Sequence, residues 1–216
     1  MTLRLNLGCG QAPTEGWLNY DNSPAVRLSR WPALAKALAA TGLVSPGTAQ
    51  FARFCRAADI RHADACRLPH AAGTVDAIYA CHMIEHLDRD EAWRFVEECR
   101  RVLRPGGVLR LAVPDLARLA RLYANDGDAE AFMARLQVDL DRPRGLLARL
   151  SRLLTGGRGH HWMYDGASLV RMLGDAGFAE AIVLPAGRTR IADPGRLDLA
   201  ERAEDSVYVE AVRPLP

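Results

Sequence analysis

Seven consecutive residues, Cys81-His82-Met83-Ile84-Glu85-His86-Leu87, put two imidazoles and a carboxylate into one short apolar stretch. An imidazole titrates near neutral pH, and a carboxylate beside it either takes a proton or orients the ring. Glu85 and His86 are therefore candidates for a general base. His82 and His86 are four apart and share a face of any helical turn formed there. That spacing resembles zinc ligation, but the helix-borne His-Glu-x-x-His order is missing and a catalytic zinc wants a third ligand. No metal is expected. The structural alternative makes His82 a satisfied core histidine and Glu85 a hydrogen-bonding carboxylate.

Leu5-Asn6-Leu7-Gly8-Cys9-Gly10 carries a second kind of chemistry. A strand that ends in Gly-x-Gly lets backbone approach a ligand closely and turns N–H groups toward an anion. Its plain alternative is a β-turn. A dinucleotide fingerprint needs a third glycine at position 13, where this chain has Pro13. Asp21 follows Gly8 by 13 residues, earlier than the acidic residue of that fingerprint, so a loop rather than a long helix joins the first two strands. Asp21, at the end of the second strand, can accept both hydroxyls of a ribose. Asp64 can hold the exocyclic amine of adenine, with a neighbouring N–H on a ring nitrogen. Each aspartate, taken alone, is equally an ordinary turn residue.

The elements that must position these groups follow from the pattern around them. Residues 3–7, 17–21, 58–63, 75–81 and 108–113 read as strands, the last two apolar enough for buried parallel strands. Asp88-x-x-Glu91 is a capping box. Behind it Ala92, Phe95, Val96, Cys99, Val102 and Leu103 recur at helical spacing until Pro105-Gly106-Gly107. Ser29 is placed to cap a helix from Pro32 to Gly42, Pro114 to open another, and 129–140 to form a third. Asp165 caps a helix that Gly177 ends, and strands over 178–184 and 206–212 close the chain. Strands alternating with helices argue for an α/β, doubly wound, mostly parallel sheet, with the final pair as an antiparallel edge. Helical insertions fall at about 24–57 and 125–165.

The chain has 216 residues, 49% of them apolar and 25% charged, with net charge +2. This suits one domain with its own core and excludes wholesale disorder, a coiled coil or a collagen-like chain. Five cysteines without Cys-x-x-Cys spacing argue against a zinc framework or disulfides and for a reducing cytoplasm. The N-terminal residues are too few and too polar for a signal peptide, and no run approaches a membrane span. A single lysine, Lys36, stands against 27 arginines, as a GC-rich genome gives. Arg142, Arg144, Arg149, Arg152 and Arg158 crowd one insertion, beside a leucine stripe at Leu146, Leu147, Leu150, Leu153 and Leu154. A basic amphipathic helix of that kind is a lid, or makes peripheral contact with a membrane surface. Gly156 to Gly159 looks like its hinge, with His160 and His161 behind it; Trp162 and Tyr164 either wall an acceptor pocket or pack the last helix onto the sheet.

Together these segments resemble the class I S-adenosylmethionine (SAM)-dependent methyltransferases, and within them the small methyltransferases of the type 11 group. The resemblance rests on Leu5–Gly10, Gly16–Asp21, Asp64–Pro69, Val75–Leu87, Arg101–Gly107 and His161–Asp165 with Ala176-Gly177-Phe178. It implies a Rossmann-like seven-stranded sheet in a single domain over 1–216, with the two insertions forming a substrate cap. It implies SAM as cofactor, with Gly8, Cys9 and Gly10 around its methionine part, Asp21 on its ribose, Asp64 on the adenine amine, Ala65 or Cys66 on the ring edge, and His82 beside the methionine or the methyl. His86, Glu85 or His161 would then serve as the base for an acceptor hydroxyl. The expected acceptor is a small molecule, glycan or lipid-linked molecule, methylated at oxygen. The alternatives are an RNA or protein methyltransferase and a non-catalytic SAM-binding protein. Low net charge and the missing Asn/Asp-Pro-Pro-Tyr/Phe motif argue against nucleic acid as partner.

Overall fold

The computed structural model describes residues 2–138 and 159–216. The arginine cluster and leucine stripe of the second insertion lie outside the described residues, as does most of the expected hinge. Seven strands form one sheet in the order β3-β2-β1-β4-β5-β7-β6. They are β1 (Arg4–Leu7), β2 (Leu18–Asp21), β3 (Arg61–His62), β4 (Val75–Cys81), β5 (Leu103–Pro114), β6 (Ala179–Leu184) and β7 (Ser206–Val212). β1 to β5 pair in parallel, while β7 runs antiparallel to β5 and β6. This is the expected doubly wound α/β architecture with its antiparallel edge. The chain steps outward through β1, β2 and β3, then returns to lay β4 on the other side of β1. The crevice beyond the carboxyl ends of β1 and β4 is where such sheets bind ligands.

The helices are α1 (Pro24–Leu28), α2 (Pro32–Ala40), α3 (Pro46–Ala57), α4 (Arg89–Val102), α5 (Leu116–Asp126), α6 (Ala129–Leu136) and α7 (Gly166–Asp175), with a 3-10 turn over Ile84–His86. α4 starts as its sequence demands. The Asp88 side chain accepts from the Glu91 N–H at 2.7 Å, and Glu91 returns the contact to the Asp88 N–H at 3.1 Å. Of its predicted stripe, Ala92, Phe95, Val96, Cys99 and Val102 are wholly buried against Ile78, Leu109 and Leu111 of the sheet, while Leu103 already belongs to β5. α7 covers the same face through Leu169, Met172 and Leu173. On the opposite face Trp17, Ile191 and Leu197 pack over Ala77, Tyr79 and Tyr208.

Several boundaries differ from expectation, each for a local reason. The strand expected over 58–63 shrinks to Arg61–His62, because Ala58 caps α3 and the Ile60 N–H turns back to the Cys55 carbonyl. Ser29 does not cap α2: its hydroxyl donates to the Val26 carbonyl at the end of α1, and Trp31 precedes α2 without a side-chain cap. Pro114 stays in β5, and Asp115 caps α5 instead. The helix expected to reach residue 140 stops at Leu136, where Gln137 turns left-handed and Val138 bridges to His160.

Arg110 and Glu210, cross-strand partners on β5 and β7, are both fully buried and meet at 2.8 Å. Arg110 also donates to the carbonyls of Arg188 and Leu199, at 2.8 Å each. Glu210 accepts from the Thr189 hydroxyl at 2.6 Å and the Arg190 N–H at 2.8 Å. The pair therefore ties the stretch between β6 and β7 to the sheet. Removing one member leaves the other charge buried alone, which costs about 3–5 kcal/mol. We expect Glu210→Ala to lose about that much stability in urea unfolding monitored by circular dichroism; a loss near zero would show that the pair is not the anchor.

Candidate active site

The end of β1 turns over sharply. Gly8 and Gly10 have φ of +66° and +49°, conformations that side chains rarely adopt. At Gly8 there is also no room, since a Cβ there would lie 2.8 Å from the Met83 Cβ. The first turn after β1 thus packs directly onto the turn after β4. Asn6 supports this loop from beneath. Fully enclosed, it donates to the Ala12 carbonyl, the Thr14 hydroxyl and the Asn19 amide oxygen at 3.1–3.2 Å. Asn19 in turn accepts from the Thr14 N–H at 2.8 Å. This network replaces the helix that a third glycine would seat in a dinucleotide fold. The Cys9 side chain points away, into an apolar cluster with Val26, Cys55 and Ile60, leaving only its backbone on the loop.

Two cavities meet at Gly8. One, of about 60 Å³, is lined by Asp21, Ala63, Asp64, Ala65, Leu68 and Met83 among others. It has an apolar floor with two carboxylates at the rim. Asp21 is held in place by the Gly10 N–H at 3.2 Å and the Ser23 N–H at 2.7 Å. Cys66 does not fill the role expected of it: its N–H donates to Asp64 at 2.9 Å, so it orients the carboxylate rather than facing a ring edge. Ala65 keeps its place on the cavity wall.

The other cavity, of about 270 Å³, is lined by Asn6, Gly8, Cys9, Gly10, Cys81, His82, Glu201 and Arg202 among others. Glu201 and Arg202 had no signature in the sequence; the anchored stretch before β7 delivers them. Tyr79 donates to the Glu201 carboxylate at 2.9 Å, and Tyr208 to the Glu201 carbonyl at 2.7 Å. Arg202 donates to His82 Nδ1 at 3.2 Å, which leaves Nε2 to donate to the Ser206 hydroxyl at 2.8 Å. His82 is therefore held rigidly. Burial, with Arg202 and the neighbouring histidines, depresses its pKa to about 4. A larger hollow of about 390 Å³ lies away from these, among α1, α3 and β3, lined by Arg30, Arg56 and Arg61 among others but by none of the expected site residues.

Beyond His82, the 3-10 turn brings Glu85, His86 and His160 together, with ligand-capable atoms all within 4.8 Å of one another. The His86 and His160 rings meet edge to face at 4.9 Å. Glu85 is fully buried, and burial pushes its pKa up to about 7. The Glu85 carbonyl accepts from the N–H groups of His161 and Trp162 at 2.8 and 3.2 Å, which docks the second insertion here. His160 is the histidine turned into the cluster; His161 is exposed. Burial and His86 lower the pKa of His160. Of the two roles open to Tyr164, pocket wall or packing, it takes packing, buried in the core, whereas Trp162 lies exposed under the Arg89 guanidinium at 4.8 Å.

A glycine-turned loop, a carboxylate at the end of β2 and another after β3, all on one crevice, define a Rossmann-like fold built for an adenosine-bearing cofactor. Residues 5–111 match the methyltransferase-domain family, and the chain belongs to the class I SAM-dependent methyltransferases. SAM is the cofactor of that family. A stretch of 57 residues is 47% identical to a probable SAM-dependent methyltransferase of Mycolicibacterium smegmatis, covering 26% of this chain and 21% of that protein. The chain thus matches about a fifth of that relative's length. The fold is shared with a SAM-dependent methyltransferase of Methanosarcina mazei, at 20% identity and TM-score 0.52, over 99% of this chain and 92% of the other. It is shared also with one of Archaeoglobus fulgidus, at 12% identity and TM-score 0.51, over 98% and 86%.

The two glycines make different demands, and calorimetric titration with SAM separates them. Gly8→Ala meets both backbone strain and the Met83 side chain, and we expect it to weaken binding at least tenfold. A Cβ at Gly10 meets nothing within 4 Å, so Gly10→Ala carries only the strain and should weaken binding less. Equal losses would refute the Gly8–Met83 contact as the shaping constraint.

Proposed function

We propose that this protein methylates an oxygen of a small-molecule, glycan or lipid-linked acceptor. The observation that carries the reading is the buried Glu85-His86-His160 cluster, set next to the glycine loop at the ends of β4 and β1. SAM supplies the electrophilic methyl group and leaves as S-adenosylhomocysteine. The chain's own residues bind and align. The Gly8–Gly10 loop and Asn6 shape the methionine end, Asp21 accepts from the ribose hydroxyls, and Asp64 accepts from the adenine amine. His82, fixed between Arg202 and Ser206, positions the wall of the cavity and does not exchange protons. His86 takes the acceptor hydroxyl proton as the new bond forms, with Glu85 beside it; alignment in a dry site supplies the remainder of the rate. His161, exposed at the rim, is a secondary base for an acceptor bound further out.

The insertions form the cap in this reading. The arm α1–α3 starts just after Asp21, whose carboxylate accepts from Ser23, so the arm and the ribose site are mechanically joined. On the other side the His160 N–H donates to the Gln137 carbonyl at 3.0 Å, tying both described ends of the second insertion to the cluster.

The test has two stages. SAM and S-adenosylhomocysteine should each raise the melting temperature of the purified chain. Transfer of labelled methyl is then assayed over hydroxyl-bearing sugars, phenols and lipid-linked glycans. His86→Ala should lower kcat about a hundredfold or more while leaving SAM affinity within about threefold. Stabilisation by SAM with no transfer to any hydroxyl would favour a cofactor-binding protein without catalysis; transfer unaffected by His86→Ala would remove His86 as the base.

A further inference from the structure

Glu85 poses a problem that methyl transfer alone does not solve. Among the described residues its two carboxylate oxygens have no hydrogen-bond partner, although the side chain is fully buried. Buried carboxylates are ordinarily paired, hydrogen-bonded or bound to a metal. His82 is the nearest basic group, at 3.5 Å. Its Nδ1, however, accepts from Arg202, and its Nε2 lies against Ser206, so it has no proton to give Glu85. The His160 Nδ1 is likewise buried without a partner. Two orphaned polar groups from distant parts of the chain, Glu85 and His160, thus face one spot, and His86 joins them there.

We propose that Glu85, His86 and His160 bind a divalent transition-metal ion of the zinc class. Two imidazoles and one carboxylate are a ligand set that zinc enzymes use, with the fourth position left for water or substrate. The His86 ring is already oriented for it. Its Nδ1 lies 3.3 Å from the Gly159 carbonyl, which can only accept, so Nδ1 carries the proton and Nε2 the lone pair. A backbone carbonyl on the far nitrogen is the usual support of a metal-bound histidine. Ligand atoms around a tetrahedral ion sit about 3.4 Å apart, given metal–ligand distances near ~2.1 Å. The present spread of up to 4.8 Å must therefore close by about 1.4 Å when the ion binds. The two histidines whose spacing resembles zinc ligation in the sequence, His82 and His86, are thus not both ligands. His82 is taken by other partners, and the missing ligand comes from His160, 74 residues beyond His86.

Binding of the ion stands on these three side chains alone. Only its use rests on the methyl-transfer reading: an acceptor oxygen in the fourth position would be acidified by the metal, which would then take over the part given to His86 as base. The test keeps the two apart. The full chain is stripped with chelator, and Zn²⁺ is titrated calorimetrically without SAM or acceptor, with Co²⁺ as a spectroscopic probe. The expected result is one equivalent bound at micromolar affinity or tighter, with an intense visible Co²⁺ band marking four or five ligands. Glu85→Gln and His160→Gln should each weaken binding at least tenfold, and His62→Gln, a histidine outside the cluster, should not. Weak binding with a six-coordinate Co²⁺ spectrum, or variants that bind like wild type, would overturn the proposal. Should a variant lose its fold by circular dichroism, X-ray absorption of the zinc-loaded wild type decides, since fewer than two imidazoles on the ion overturns it as well. Stabilisation by SAM of the stripped protein is measured in parallel, so failure of the metal site leaves the cofactor site standing.

Discussion

The structure depends on one constraint: β1 and β4, far apart in the chain, lie side by side in parallel, and the turns that leave them must touch. Parallel pairing sends both carboxyl ends to the same edge of the sheet. The contact between those turns is so close that only glycine fits at position 8, above Met83. Everything that binds or reacts is hung from this junction. The cavity bordered by Asp21 and Asp64 opens on one side of Gly8, the cavity bordered by His82 and Arg202 on the other, and the Glu85 turn follows Met83 directly. A side chain at Gly8 would separate the two turns and disperse the site.

A second dependence runs through the far side of the sheet. The stretch between β6 and β7 has little regular structure, yet it delivers Glu201 and Arg202 to the cofactor cavity. Its own turns are hydrogen-bonded, but groups within the sheet fix it in place. Arg110 and Glu210 take up its carbonyls, an N–H and a hydroxyl, while Tyr79 and Tyr208 hold Glu201. Charges that would be costly alone are neutralised by each other and used as anchors. The consequence for chemistry is indirect: Arg202 occupies one nitrogen of His82, and that in turn leaves Glu85 without a donor. The character of the reacting cluster is thus set partly by an ion pair on the opposite face.

The histidines show how small differences in direction decide roles. His82, His86, His160 and His161 all lie near the end of β4. His82 is locked between two partners, His86 and His160 face each other, and His161 turns outward while its backbone docks on Glu85. A residue's type offers a range of chemistry, and the neighbours of each ring select from it.

The sequence by itself determined the elements whose signals are local. The capping box of α4 and its buried stripe, the buried strands β4 and β5, the glycine turn after β1 and the antiparallel end of the sheet are all legible, because period, caps and turn residues act over a few positions. The glycines and aspartates expected to hold the cofactor lie at or just past strand ends, which the same local signals mark. Even there Cys66 was misread, since an N–H that closes on the aspartate two residues back looks the same in sequence as a free one. The short β3 and the early stop of α6 were decided by turns at Asp59 and Gln137 that carry no glycine to announce them. What only the tertiary structure decided is the company each reactive group keeps. Glu201 and Arg202 beside His82, His160 rather than His161 beside His86, and Tyr164 in the core are contacts between residues tens of positions apart. Sequence spacing carries local geometry, whereas burial and the pairing of charges are fixed only once the sheet has closed around them.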